Sequence, residues 1–205
     1  MSILDFGLCD AIRFAFSGQQ DGGFRLVQSL LEHDHVYYRA NELVTFVDNH
    51  DMPRFLSICS RRRSLEQALI LLFCLRGVPC IFYGTEQYLV NNIDGGNDPY
   101  NRPMMESWNS SSPCFSLLDT LISIRRQNQA LTFGSHQQIY VSEHVYAFIR
   151  TYRDCHALCV LNKGQATEIS LDLGERFGAS EIACVLTGSA FSIADGRLSL
   201  ALEPG

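Results

Sequence analysis

A chain of 205 residues, 46% hydrophobic and 19% charged, has the makeup of a folded protein that can bury a core, as one large domain or two small ones. Its formal charge of −6 argues against nucleic acid or an anionic membrane surface as the main partner, because both reward basic patches. No stretch approaches the ~20 apolar residues of a membrane span.

In chain order, Ile3 to Phe6 is a short apolar run, and Phe24, Val27, Leu30 and Leu31 form one face of a helix over 24–31. His33-Asp34-His35 follows as a loop, although the motif alone leaves a metal-ligating pair open. Leu43 to Val47 is strand-like. The basic run Arg61-Arg62-Arg63 is expected in a solvated loop before a helix. Ser64 and Gln67 have capping-box spacing and should open that helix, which runs through Leu75 and stops at Gly77 with Pro79 beyond. Val78 to Tyr83 is again strand-like. Ser112-Pro113 should then open a helix with the apolar stripe Leu117, Leu118, Leu121, Ile122 and Ile124. This repetition implies β-α units with strands near 2–6, 43–47 and 78–83 in a parallel sheet.

The texture changes near Thr132. Short runs at 138–141, 145–150, 157–161, 168–171, 182–186 and 198–202 are separated by the turn-prone Asn162-Lys163-Gly164, Gly188-Ser189 and Asp195-Gly196. They read as a small antiparallel β-sandwich. Eight cysteines without a CxxC pair look like small buried hydrophobes in a reducing compartment. A strand explains Cys155-His156 and Cys159 better than a metal site does.

The residues able to carry chemistry follow the second strand. Phe46-Val47-Asp48-Asn49-His50-Asp51 places a histidine and carboxylates at the carboxyl end of a parallel strand, where β/α barrels build their active sites. Spacing alone leaves open whether Asp51 belongs to a site or only to the turn before Met52-Pro53.

This block resembles the fourth conserved region of the α-amylase family of glycoside hydrolases. Gly77 to Gln87 resembles that family's last barrel strand. Gly96-Asn97-Asp98-Pro99-Tyr100-Asn101-Arg102 resembles the loop after it, in the version of cyclodextrin glucanotransferases, and Ser2 to Phe6 resembles the sixth strand. The blocks occur in family order with family spacing. The resemblance implies the last three β-α units of a (β/α)8 TIM barrel over residues 1–131. A C-terminal β-sandwich over 132–205 would follow, truncated, with an unpaired edge near 200–205.

By the same resemblance, Asp51 is the carboxylate that stabilises the transition state, and His50, Asp98 and Arg102 bind substrate. Tyr83 and Glu86 lie in a matching block, with Glu86 a structural carboxylate; Asp5 and Asp48 fall at family positions without catalytic roles. The expected partner is an α-glucan such as starch, glycogen or a maltooligosaccharide, which a hydrolase or a glucanotransferase would process. The nucleophile and general acid belong to strands upstream of those present, so the chain is expected to be inactive alone, with Met1 an internal methionine taken as a start. No cofactor or metal is assigned, since the family's calcium sites belong mostly to the upstream part. A non-catalytic carbohydrate-binding or scaffold protein is the alternative. The cysteines favour the cytoplasm, whereas many relatives are exported.

Overall fold

The computed structural model describes residues 3–18, 23–91, 100–174, 177–178 and 180–205. Helices α1 (Phe6–Ser17), α2 (Phe24–Leu31), α3 (Phe55–Ile58), α4 (Arg62–Cys74), α5 (Pro113–Gln127) and α6 (Gln129–Phe133) alternate along the chain with two short parallel strands, β1 (Val44–Thr45) and β2 (Val78–Pro79). Antiparallel strands follow: β3 (Ser135–Val141), β4 (Val145–Tyr152), β5 (Cys155–Asn162), β6 (Thr167–Asp172), β7 (Glu181–Ala183), β8 (Ala190–Ala194) and β9 (Arg197–Leu202). They form one sheet in the order β3-β4-β5 and another in the order β6-β9-β8-β7.

The parallel strands are shorter than their apolar runs. Leu4 makes a single parallel bridge to Val44, and β1 pairs with β2 in the register Val44↔Val78, Thr45↔Pro79. The first run stops there because Asp5 turns the chain into a helix: its buried carboxylate accepts the Leu8 N–H at 3.0 Å and caps α1. Beyond Pro79, which has no N–H to give, Cys80 donates to Thr45 O at 2.7 Å and the pairing ends. Arg76, 1% exposed, ties this sheet to the helices. It ion-pairs with Asp5 at 2.5 Å and reaches Asp34 at 2.6 Å. Burial pulls its guanidinium down, but the hydrogen bonds to Asp34 and Asp5 outweigh that and hold its pKa above the ordinary arginine value.

The helix over 24–31 forms as its periodicity predicts. The Ser64–Gln67 capping box does not. Helix α4 begins at Arg62, with Arg61 as its N-cap, so the basic run is the cap and first turn of a helix rather than a loop. Gln67 turns inward and donates to Asn162 O of β5 at 2.7 Å, a use for a buried amide that outweighs an exposed cap. The stripe of α5 is also rotated. Cys114, Leu118, Leu121 and Arg125 are buried, whereas Ile122 is 37% exposed. Arg125 is inside because its guanidinium takes the free carbonyls at the end of α4, those of Phe73, Leu75 and Gly77. Arg150 of β4 does the same for Cys74 at 3.0 Å.

Strand β4 is buried on both faces. Tyr146 and Phe148 join the helical core, while Val145, Ala147 and Ile149 pack against Ile169, Leu171, Leu198 and Leu200 of the second sheet. The change from helix to strand falls between Phe133 and Ser135, so α6 crosses the boundary expected at 132. Strand β8, missed in the sequence, pairs with β9 through a tight turn whose Asp195 (φ 50°) and Gly196 (φ 71°) are both left-handed. Strand β9 pairs with β6 along its whole length, but with β8 only at Arg197 and Leu198. Among the described residues, Ser199 to Leu202 therefore have a strand partner on one side only.

Candidate active site

Because β1 and β2 are parallel, the segments that leave their carboxyl ends emerge on the same side. Each segment carries one of the sequence motifs. After β1, Phe46 and Val47 are buried at 2% and fix the chain against the core. Phe46 meets Phe6 edge-on at 5.2 Å. Arg13 of α1 reaches across and donates to Val47 O and Pro53 O, both at 3.0 Å, closing the loop between them.

Inside that loop Asp48 is an anchor. It is 3% exposed and accepts the Phe55 N–H at 2.9 Å and the Thr85 hydroxyl at 3.3 Å. Its ion pair with Arg54 spans 3.3 Å, and Arg54 in turn donates to Thr85 Oγ1 at 2.9 Å and lies 4.4 Å over the Phe82 ring. Burial pushes the Asp48 carboxyl up and pulls the Arg54 guanidinium down, so desolvation outweighs the mutual attraction for both partners. This network joins the β1 loop to Thr85, beyond β2, and its charged groups are buried.

The next residues face outward. Asn49 accepts the Asp51 N–H at 2.8 Å, the two-residue side-chain turn that asparagine favours. Asp51 Oδ1 then stands 3.3 Å from His50 Nε2 and 3.5 Å from Arg102 Nη2. All three side chains are about half exposed, at 53% for His50, 59% for Asp51 and 46% for Arg102. The His50 ring lies 6.3 Å from Phe82. Asn101 donates to the His50 carbonyl, which Arg102 Nε also approaches at 3.4 Å. Tyr83 donates to Pro103 O at 2.9 Å and pins the loop that presents Arg102.

Three of the four residues expected at a site therefore meet: His50, Asp51 and Arg102. Asp98 lies outside the described residues. Glu86 sits in a short turn after β2, where its backbone carbonyl accepts the Ser112 hydroxyl at 2.8 Å. Asp5 is taken up by Arg76 and the α1 cap, and Asp34 of the His33-Asp34-His35 motif also serves Arg76. His33 and His35 turn Nδ1 to backbone carbonyls of Ser29 and Glu32, near the end of α2. Among the described residues no group of three or more His, Cys, Asp or Glu side chains is placed to hold a metal ion. Asn49, Asn101 and the Asp48–Arg54–Thr85 network were not singled out as supports in the sequence. Only the adjacency of Asn101 to Arg102 hinted at them.

An exposed carboxylate beside an imidazole and a guanidinium offers fixed acceptors and donors at one point of the surface. That set suits neighbouring hydroxyl groups, which both give and take hydrogen bonds.

Residues 25–113 match the family model of the α-amylase catalytic domain, and residues 136–204 match that of the maltogenic amylase C-terminal domain. An α-amylase of Niallia circulans is 37% identical over 171 residues, covering 83% of this chain and 32% of that protein. A cyclomaltodextrin glucanotransferase of Thermoanaerobacterium thermosulfurigenes is equally similar, over 23% of its length. The crystal structure of a cyclomaltodextrin glucanotransferase with a three-domain ABC distribution superimposes with a TM-score of 0.88 at 36% identity, covering all of this chain and 43% of that one. The chain thus spans about a quarter to a third of the length of these curated relatives. The class these relatives belong to is that of glycoside hydrolases and glucanotransferases. Within it, the chain belongs to the α-amylase family.

Proposed function

We propose that this chain forms one wall of the α-glucan cleft of an α-amylase-type enzyme, which hydrolyses or transfers α-1,4-linked chains. Residues 1–131 are then the last three β-α units of a (β/α)8 barrel, and 132–205 the β-sandwich after it. The observation that carries the reading is the meeting of Asp51, His50 and Arg102 at the carboxyl ends of two parallel strands. Asp51 stabilises the transition state, while His50, Arg102 and Asp98 hold the sugar. A glycosidic bond breaks through an oxocarbenium-like state, and hydrogen bonds to ring hydroxyls that tighten there lower the barrier by several kcal/mol. Half-exposed side chains on a braced turn can make such bonds without first breaking a buried network.

A retaining mechanism also needs a nucleophile and a proton donor about 5–5.5 Å apart. Asp51 fills neither role, and Asp5, Asp34 and Asp48 are committed to buried arginines. With a nucleophile and a proton donor supplied from strands outside them, the 205 residues alone are inactive on glucan. The cytoplasm is the proposed setting, on the strength of the cysteine content.

The test is to incubate the purified chain with soluble starch, alone and with a separately expressed half supplying the first barrel strands, and to measure reducing ends and cyclic products. Activity only in the mixture is expected, and turnover by the chain alone refutes the assignment of roles. A non-catalytic glucan-binding protein is the second reading. Glucan binding by the chain with no activity in any mixture would favour it.

A further inference from the structure

We infer that Asn101 is the positioning residue of this site: its side-chain amide holds the His50 carbonyl and so sets where the imidazole of His50 and the carboxylate of Asp51 project. The two segments are far apart in sequence, and the peptide carbonyl of His50 is where they join. Asn101 donates to that carbonyl through Nδ2. Asn101 is itself 2% exposed, unlike the half-exposed side chains it supports. Arg102, the next residue, approaches the same carbonyl with Nε at 3.4 Å and Asp51 with Nη2 at 3.5 Å. One dipeptide, Asn101-Arg102, therefore grips the turn at its backbone and at its carboxylate.

The other end of the turn is held by Asn49, whose Oδ1 accepts the Asp51 N–H at 2.8 Å. With Asp48 locked to Phe55 and Arg54, the chain is fixed before the turn, within it and after it. Among the described residues, the hold at His50 is made from the segment that carries Arg102, so it helps set the spacing between Arg102 and the His50–Asp51 pair.

Packing by itself does not explain an asparagine here. Its Oδ1 is buried with no hydrogen-bond partner, and a buried polar atom left bare costs free energy that a leucine or alanine would avoid. The hydrogen bond from Nδ2 is what that cost maintains. Asn101 is a positioning residue, not a catalytic one, because its enclosed amide acts through His50.

The inference deepens the glucan-cleft reading and rests on it for its consequence, but its geometry can be tested without sugar. Amide hydrogen exchange is followed by NMR in the 205-residue chain and in two variants, Asn101→Ala and Asn101→Asp. The aspartate has nearly the same shape but sets a carboxylate oxygen against the His50 carbonyl in place of the donor. Exchange of the Asp51 N–H should rise about tenfold in both variants, while the core amides of Leu72 and Phe148 stay at the unsubstituted rate. Asp51 exchange unchanged in either variant overturns the inference, because a packing role alone would spare the isosteric aspartate. Acceleration that spreads to Leu72 and Phe148 also overturns it, since Asn101 would then hold the fold and not the turn. Maltoheptaose titrated into the unsubstituted chain separates the two claims. If no binding is seen while the exchange difference stands, the glucan reading fails and the role of Asn101 in setting the turn does not.

Discussion

The junction between the helices and the first antiparallel sheet should weaken in mild acid, and His136 is the cause. His136 Nε2 lies 2.9 Å from the Tyr146 hydroxyl, which lies 2.6 Å from Gln28 Oε1 on α2. Since Gln28 Oε1 can only accept, Tyr146 gives it the proton, and Tyr146 then accepts from the Nε2–H of His136. Nδ1 is left bare, buried and without a partner. Burial, with the charges of Arg150 and Arg76 nearby, pulls the imidazole from its ordinary 6.5 down to about 3. The folded protein therefore keeps this ring neutral where the unfolded chain protonates it. Between pH 6.5 and 3 the unfolded state binds more protons, so stability is complete above 6.5 and is lost as the pH falls through this window. At pH 5 the loss for a fully enclosed ring would be about 2 kcal/mol. Some solvent contact remains, so about 1–2 kcal/mol is expected. The comparison is His136→Gln, whose amide can still donate to Tyr146 but does not titrate. Urea unfolding of both proteins at about pH 7.5 and pH 5 gives the difference, in which every other titrating group cancels. The unsubstituted protein should lose about 1–2 kcal/mol more than the variant. Parallel losses would refute the reasoning.

Breaking the buried ion cluster should cost far more: Arg76→Met strands Asp5 and Asp34, and urea denaturation should show a loss of about 3–5 kcal/mol. Gly77→Ala should destabilise by about 2 kcal/mol or more in the same assay. Its φ of 97° disfavours a side chain, and the new Cβ would sit 2.5 Å from Thr45 Cγ2 and 2.8 Å from Leu43 O. Asp51→Asn, measured on starch with the complementary half present, should lower kcat by orders of magnitude and change KM far less, because the contact strengthens mainly in the transition state. Equal activity would remove Asp51 from the mechanism.

What the sequence made legible was set by local chemistry. Helix α2 could be read from Phe24, Val27, Leu30 and Leu31 because its buried face depends only on helical periodicity. Strand β4 could be read because Val145 to Arg150 is buried on both sides and hence almost continuously apolar. The misreadings have long-range causes. Gln67 looked like half of a capping box because local spacing says nothing of Asn162, which takes its amide. Arg125 lies outside the apolar stripe expected for α5, yet it is buried to serve the free carbonyls at the end of α4, and no periodicity in α5 could reveal that. Strand β8 escaped notice because Ala190-Phe191-Ser192-Ile193-Ala194 has just two large apolar residues, Phe191 and Ile193, set among small ones.

The site divides in the same way, and the division explains how a short loop can be both rigid and open. Asp48 and Asp51 are chemically alike and three residues apart, yet one is 3% exposed and the other 59%. The loop turns between them, so that Asp48 faces Arg54 and Thr85 while Asp51 faces Arg102 and solvent. Nothing in the letters assigns these directions; they follow from where the second segment crosses. Arg54, Phe55 and Thr85 take up Asp48, while Asn101 and Arg102 meet the turn at His50 O, on the side where Asp51 projects. An acidic pair with both members exposed would repel and loosen the turn. With both buried, nothing would remain to meet a sugar. Placing one on each side of the chain lets the buried charge stiffen the loop and frees the outer charge to change partners, the property a group needs if its hydrogen bonds are to tighten as a reaction proceeds.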